Sequence, residues 1–152
     1  MWELARVALD TSVIVEYIDL KGRYHRQARA IFESVLVGKL EAVIPHPVLA
    51  ETYYVAARIY TVIGLPEPLR KAGELVKQLA ALPTVEVVEG AELAVEAGSA
   101  KLKLGLALTD CYVLAAAKLA GGKAVFRSRE AEMARAAERL KEYSVVFLED
   151  YA

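Results

Sequence analysis

Three acidic residues stand where an acid is costly. Asp10 lies in Val7-Ala8-Leu9-Asp10-Thr11-Ser12-Val13-Ile14-Val15, Glu51 in Val48-Leu49-Ala50-Glu51-Thr52-Tyr53-Tyr54-Val55, and Asp110 in Leu106-Ala107-Leu108-Thr109-Asp110-Cys111-Tyr112-Val113-Leu114. An ionised carboxylate among apolar neighbours is unfavourable unless it is paired or bound to a cation. Carboxylates that gather also repel one another, and a divalent ion relieves that repulsion. A set of oxygen ligands suits Mg²⁺ or Mn²⁺, and the chemistry such an ion supports is metal-assisted attack of water on a phosphate ester. Each acid also has a plain structural reading. Asp10 suits the N-cap of a helix starting near Ser12. Asp110 suits the first turn of a helix capped by Thr109. Glu51 suits a solvent face. Glu130 and Glu132 form a further acidic pair, and Glu in a first helical turn is ordinary.

The elements that must position these residues are legible. Short β-prone runs occur at Arg6-Val7-Ala8-Leu9, Glu41-Ala42-Val43-Ile44, Thr84-Val85-Glu86-Val87-Val88, Lys123-Ala124-Val125-Phe126 and Ser144-Val145-Val146-Phe147-Leu148, which predicts five strands. Helical patterns fill the intervals: Ser12 to Leu20, a segment with Ala28, Ile31, Phe32, Val35 and Leu36 on one face, Pro47 to about Ile63, Glu67 to Leu82, Ala91 to Leu104, Thr109 to Ala120 and Glu130 to Tyr143. Strands alternating with helices predict an α/β fold: a three-layer α/β/α sandwich around a central, mostly parallel five-stranded sheet. Ligands of such sheets bind at the carboxyl ends of the strands. Asp10 directly follows the first strand, and Arg127, Ser128, Arg129 and Glu130 follow the fourth.

The composition bounds the alternatives. At 152 residues the chain is read as one domain, 1–152. A formal net charge of −1 gives no overall basic field, so attraction to a nucleic acid would have to come from a local patch or a bound ion. The single cysteine, Cys111, excludes an intramolecular disulfide framework and fits a reducing cytosol. No apolar stretch approaches a membrane span, and Met1-Trp2-Glu3-Leu4-Ala5-Arg6 lacks a leader pattern. A cytoplasmic location without membrane attachment is expected. His25 and His46 have no ligand spacing, Cys111 reads as a packed thiol, and Tyr53, Tyr54 and Tyr60 read as helix packing. Lys101, Lys103, Arg127 and Arg129 read either as phosphate contacts or as solvated charges. No phosphate-cradling Gly-rich loop occurs.

Taken together, Leu9-Asp10-Thr11-Ser12-Val13-Ile14-Val15-Glu16-Tyr17, Val48-Leu49-Ala50-Glu51-Thr52 and Leu108-Thr109-Asp110-Cys111-Tyr112-Val113-Leu114-Ala115-Ala116-Ala117 resemble, in order and spacing, the motifs of the PIN domains. Within them the resemblance is to the VapC-like toxins of prokaryotic toxin–antitoxin pairs, and it spans essentially the whole chain. It implies a metal-dependent endoribonuclease using Mg²⁺ or Mn²⁺, an RNA substrate, a homodimer and an antitoxin protein that blocks the site. One stretch departs from the family pattern. Where the family carries an Asp after the fourth strand, Phe126-Arg127-Ser128-Arg129-Glu130 places Ser128, with Glu130 at the second acidic position.

On this reading Asp10 and Asp110 bind a first ion, and Glu51 completes its surroundings or positions a water. Glu130, with Ser128, helps to hold a second ion or the leaving group, and Thr11 or Ser12 orients Asp10. The alternative is a catalytically weak or inactive module that keeps the fold and binds RNA or protein. A phosphatase of the haloacid-dehalogenase type would want a second acid where Ser12 stands. A receiver domain would want an acidic pair and a phosphoacceptor Asp ending a later strand. Neither pattern is present.

Overall fold

The structure is a computed structural model and describes residues 5–152. The leader reading of Met1–Leu4 lies outside the described residues. Five strands, β1 (Ala5–Leu9), β2 (Leu40–Pro45), β3 (Val85–Val88), β4 (Lys123–Phe126) and β5 (Val145–Phe147), form one sheet in the order β3-β2-β1-β4-β5. Every pairing is parallel. The helices are α1 (Thr11–Ile18), α2 (His25–Leu36), α3 (His46–Val62), α4 (Pro68–Ala81), α5 (Ala91–Leu104), α6 (Leu108–Ala120) and α7 (Ala131–Arg135). Short 3-10 turns cover Arg139–Glu142 and Leu148–Tyr151. This is a three-layer α/β/α sandwich. With right-handed crossovers, the rule for parallel strands, this strand order puts α1–α4 on one face as the chain steps from β1 to β3 and α5–α7 on the other as it returns through β4 to β5.

Parallel strands buried on both faces need apolar side chains at nearly every position. Val7, Ala8 and Leu9 of β1, Ala42, Val43 and Ile44 of β2, and Ala124, Val125 and Phe126 of β4 are all buried. Beneath them α6, apolar nearly all round, packs across β1, β2 and β4, and α5 packs on α6. A smaller cluster of Ala56, Ala57 and Ala72, flanked by Ile18, Tyr60 and Leu75, lets α3 and α4 approach closely.

The observed strands agree with the sequence-based expectations to within a residue at either end. One helix differs. The segment expected as a continuous helix over 130–143 breaks after Arg135 and resumes as a 3-10 turn. Its bonds tighten at Ala136, whose N–H reaches both Glu132 and Met133, and the Arg139 N–H bonds the Ala136 carbonyl. Met133, Ala136, Leu140 and Tyr143 are all buried. Seating these four while returning the chain to β5, beside β4, overrides the helical propensity of the Ala-rich sequence.

Candidate functional site

The sheet order reverses at β1: the chain runs outward through β2 and β3 on one side and returns to β4 and β5 on the other. The carboxyl ends of β1 and β4 therefore flank a crevice of the kind in which α/β sheets bind ligands. A small cleft of about 70 Å³ lies there, lined by Asp10, Ser12, Asp110, Phe126, Arg127, Ser128, Glu130 and Met133.

Asp10 leaves β1 in an extended conformation and caps α1, its Oδ2 accepting the Ser12 N–H at 3.0 Å. Its other oxygen, Oδ1, is buried and has no hydrogen-bond partner among the described residues. The cap anticipated from sequence is thus present, yet it uses only half the carboxylate. Burial raises the Asp10 pKa above its ordinary value; hydrogen bonds from Ser12 oppose the rise and the charge of Glu51 adds to it.

Asp110 sits in the first turn of α6. Thr109 does not cap that helix: the N-cap is Ala107, with extended backbone and no side-chain acceptor, and the helix begins at Leu108. The helix dipole favours an anion there, but burial outweighs it. Together with the charges of Asp10, Glu130, Glu51 and Glu132, burial pushes Asp110 up to about 7. Glu51, half-buried on α3, does not line the cleft, although its charge is felt by both aspartates. Glu130 is the N-cap residue of α7 without a side-chain cap bond, and its carboxylate remains available to the cleft it lines. Ser128, half-buried, also lines the cleft.

Ser12 ties two walls together, since its hydroxyl accepts the Arg127 N–H at 3.1 Å while its own N–H holds Asp10. The Thr11 hydroxyl is buried and unpartnered among the described residues, so the Asp10 contact expected of Thr11 or Ser12 belongs to Ser12.

Glu16 did not emerge from the sequence. It is 4% exposed; Oε1 accepts the Tyr24 N–H at 2.6 Å and Oε2 accepts Arg127 Nε at 2.8 Å. A signal existed, because Glu16 is the single charge within Thr11–Ile18. Its partner, however, lies 111 residues away. Gly22 makes room for this pair, as a Cβ there would meet Glu16 Oε1 at 2.5 Å.

The remaining candidates have ordinary duties. Lys101 Nζ donates to the Leu106 carbonyl at 2.6 Å, and Arg129 is shared between Glu149 and Asp150. His46 pairs with Glu89 at the surface, and His25 Nδ1 lies 3.1 Å from the Glu16 carbonyl. Cys111 is buried, its thiol pushed up to about 11 by burial and by Asp110. Of the three tyrosines expected as packing residues, Tyr60 packs on the Ala56, Ala57 and Ala72 cluster, whereas Tyr53 and Tyr54 are exposed.

The donor chemistry fits a hard divalent cation. Asp10 offers an orphaned buried oxygen, and Asp110 is pushed up to about 7 by burial and by its acidic neighbours. Among the described residues no group of three or more His, Cys, Asp or Glu is placed to hold a metal ion, so Asp10, Glu51 and Asp110 do not converge as a three-carboxylate ligand set. The Asp10–Asp110 pair still suits Mg²⁺, which binds through one or two carboxylates and keeps several waters.

Comparison with known proteins gives the same fold. The chain is similar to a chain in the VapBC2 structure from Rickettsia felis, bound to a DNA fragment from their promoter, with TM-score 0.64 and 14% identity over 93% of this chain and 98% of that one. It is similar to one in VapBC-1 from nontypeable Haemophilus influenzae, with TM-score 0.62 and 13% identity over 95% and 98%. PAE2754 from Pyrobaculum aerophilum matches with TM-score 0.59 and 18% identity over 98% and 95%. No curated protein matches by sequence. The model of the PIN domain family matches residues 7–139, which is most of the chain, and the chain therefore belongs to the PIN domain family.

Proposed function

We propose that this protein is a divalent-metal-dependent endoribonuclease, the toxin of a toxin–antitoxin pair, folded as one PIN unit over residues 1–152. The observation that carries the reading is the unpartnered, buried Oδ1 of Asp10 in a cleft shared with Asp110. An orphaned carboxylate oxygen of this kind is expensive in a folded protein, and a cation removes the expense. Asp10 and Asp110 would hold the ion, with Glu130 adding a carboxylate in the cleft lining and Glu51 adding negative charge from outside it. When bound, Mg²⁺ or Mn²⁺ lowers the pKa of a water and neutralises charge on the phosphate. Ser12 fixes Asp10 in orientation through its N–H. Ser128 offers a hydroxyl where an acid is usual in the family, and Glu130 brings a longer acidic side chain to the same cleft.

The solved structures of similar fold include toxin–antitoxin complexes, which supports an antitoxin partner here. Exposed Val62 and Ile63 beside an apolar hollow at the end of α3 support a partner-binding or homodimer surface. The cytoplasmic location rests on the lone cysteine; among the described residues, no helix is long and apolar enough to cross a membrane.

Calorimetric titration of Mn²⁺ into the pure protein, with cleavage of a broad RNA set, tests the proposal on wild type, Asp10→Asn and Asp110→Asn. Binding and cleavage lost together in both variants are expected. Ser128 in place of an acid favours the second reading, a binding module of weak or no activity; metal binding by wild type without cleavage of any RNA would select it. Unchanged metal binding in both variants would overturn the site.

A further inference from the structure

The cleft holds one positive group among its acids. Arg127 follows β4 and lines the cleft with Asp10, Asp110 and Glu130. Its backbone N–H is fixed on the Ser12 hydroxyl, and its guanidinium is bound through Nε by Glu16 and lies 5.1 Å from the centre of the Tyr24 ring. Both Nη groups lack an acceptor among the described residues, and the side chain is 39% exposed.

Two features make this more than a buried charge being neutralised. An unrestrained guanidinium beside Asp10 and Asp110 would fold onto them and occupy the oxygens that a cation needs. Here the Glu16 carboxylate, itself 5% exposed, binds the guanidinium instead, and the Asp10 oxygen stays unpartnered. The other basic residues that could have served are spent: Arg129 uses both Nη groups on Asp150 and one on Glu149, and Lys101 caps the Leu106 carbonyl. Of these, Arg127 alone lines the cleft and keeps both Nη groups without an acceptor among the described residues, and such a planar pair of donors matches two oxygens of a phosphate.

We propose that Arg127 grips a phosphodiester of the substrate strand through its two Nη groups, and that Glu16 is the positioning residue that holds the guanidinium clear of the aspartates. The proposal rests on the nuclease reading above and adds a phosphate contact that an overall charge of −1 does not otherwise provide.

The test is equilibrium binding of a short fluorescent single-stranded RNA of mixed sequence, in EDTA, over a series of salt concentrations. It compares wild type, Arg127→Lys, Arg127→Met, Glu16→Gln and the double variant Glu16→Gln/Arg127→Met. The double variant guards against misfolding, because it removes the unpaired buried charge that Arg127→Met alone would leave. Loss of one phosphate contact should weaken binding roughly tenfold and lower the slope of log affinity against log salt by about 0.7 in both Met variants. Arg127→Lys should keep the slope, since the charge remains, with affinity between the two. Glu16→Gln should weaken binding about threefold with the slope unchanged, the mark of a residue that places the contact without making it. Unchanged slope in the double variant, while wild type binds RNA and cleaves it in Mn²⁺, would overturn the Arg127 assignment and leave the nuclease reading standing. Wild type that neither binds nor cleaves RNA would remove both.

Discussion

Asp110→Asn should make the metal-free protein more stable at pH 8 and no more stable at pH 4. The folded protein holds the Asp110 carboxyl up to about 7, against an ordinary 3.8, through burial and the charges of Asp10, Glu130, Glu51 and Glu132. The unfolded chain therefore releases that proton first as pH rises. Between about 4 and 7 the folded state binds more protons than the unfolded state, and stability falls with pH. Above 7 the folded state carries the full penalty of an ionised Asp110. At about 1.4 kcal/mol per pH unit the whole rise corresponds to about 4 kcal/mol. Asp110 is only half-buried and solvent screens part of this, so about 2 kcal/mol is the expected gain for the Asn variant at pH 8, or roughly 4–8 °C in Tm for a domain of this size. Urea denaturation of both proteins from pH 4 to 8 in EDTA gives the difference directly; the other acids are common to both, so the curve isolates position 110 and its coupling to Asp10. Saturating Mn²⁺ should then reverse the order, stabilising wild type by about 3 kcal/mol at a hundredfold excess over Kd and leaving Asp110→Asn where it was. A difference that does not change with pH, or a variant less stable than wild type at pH 8 without metal, would refute the acid-cluster reasoning.

Asp10→Asn should keep the start of α1, because Asn accepts the Ser12 N–H as Asp does, while removing Mn²⁺ stabilisation; Asp10→Ala should lose about 1 kcal/mol more than Asp10→Asn in EDTA, measured by urea denaturation. Gly22→Ala should cost about 1–3 kcal/mol, since its Cβ would press on Glu16 Oε1 at 2.5 Å, and Glu16→Gln should not restore it, because the crowding is steric; a neutral Gly22→Ala in thermal denaturation would show that Glu16 is free to move. Cys111, buried and pushed up to about 11, should resist iodoacetamide at pH 8 in the native protein and react at the ordinary rate in urea, as followed by mass spectrometry.

Much of the architecture was legible because its strands are short apolar runs flanked by breakers and its helices carry apolar faces. Pro45 ends β2 and opens α3, and Gly121-Gly122 separates α6 from β4. What local pattern could not deliver is tertiary. An Ala-rich stretch from 130 to 143 has every propensity to be one helix, yet the need to bury Met133, Ala136, Leu140 and Tyr143 and turn into β5 divides it. At the site, Asp10, Glu51 and Asp110 stood out because acids are rare in such apolar contexts. Their surroundings sort them: Asp10 and Asp110 line the cleft, whereas Glu51 acts on them from outside its lining. Glu16 escaped notice because its partner, Arg127, comes from the far end of the chain. A buried glutamate declares itself only when the fold supplies the cation.

The placement of β4 has a consequence for how the protein comes into being on the ribosome. β1 pairs with β2 along one edge and with β4 along the other. A nascent chain emerging from its N-terminus can therefore assemble β1, β2 and β3 with their helices long before Lys123–Phe126 has been translated. During that interval the second edge of β1 is open and Asp10 has neither Asp110 nor Arg127 beside it. The cleft closes only when the last third of the chain threads β4 into the sheet, so a truncated product would be a partly folded protein with an exposed strand edge and no complete cleft.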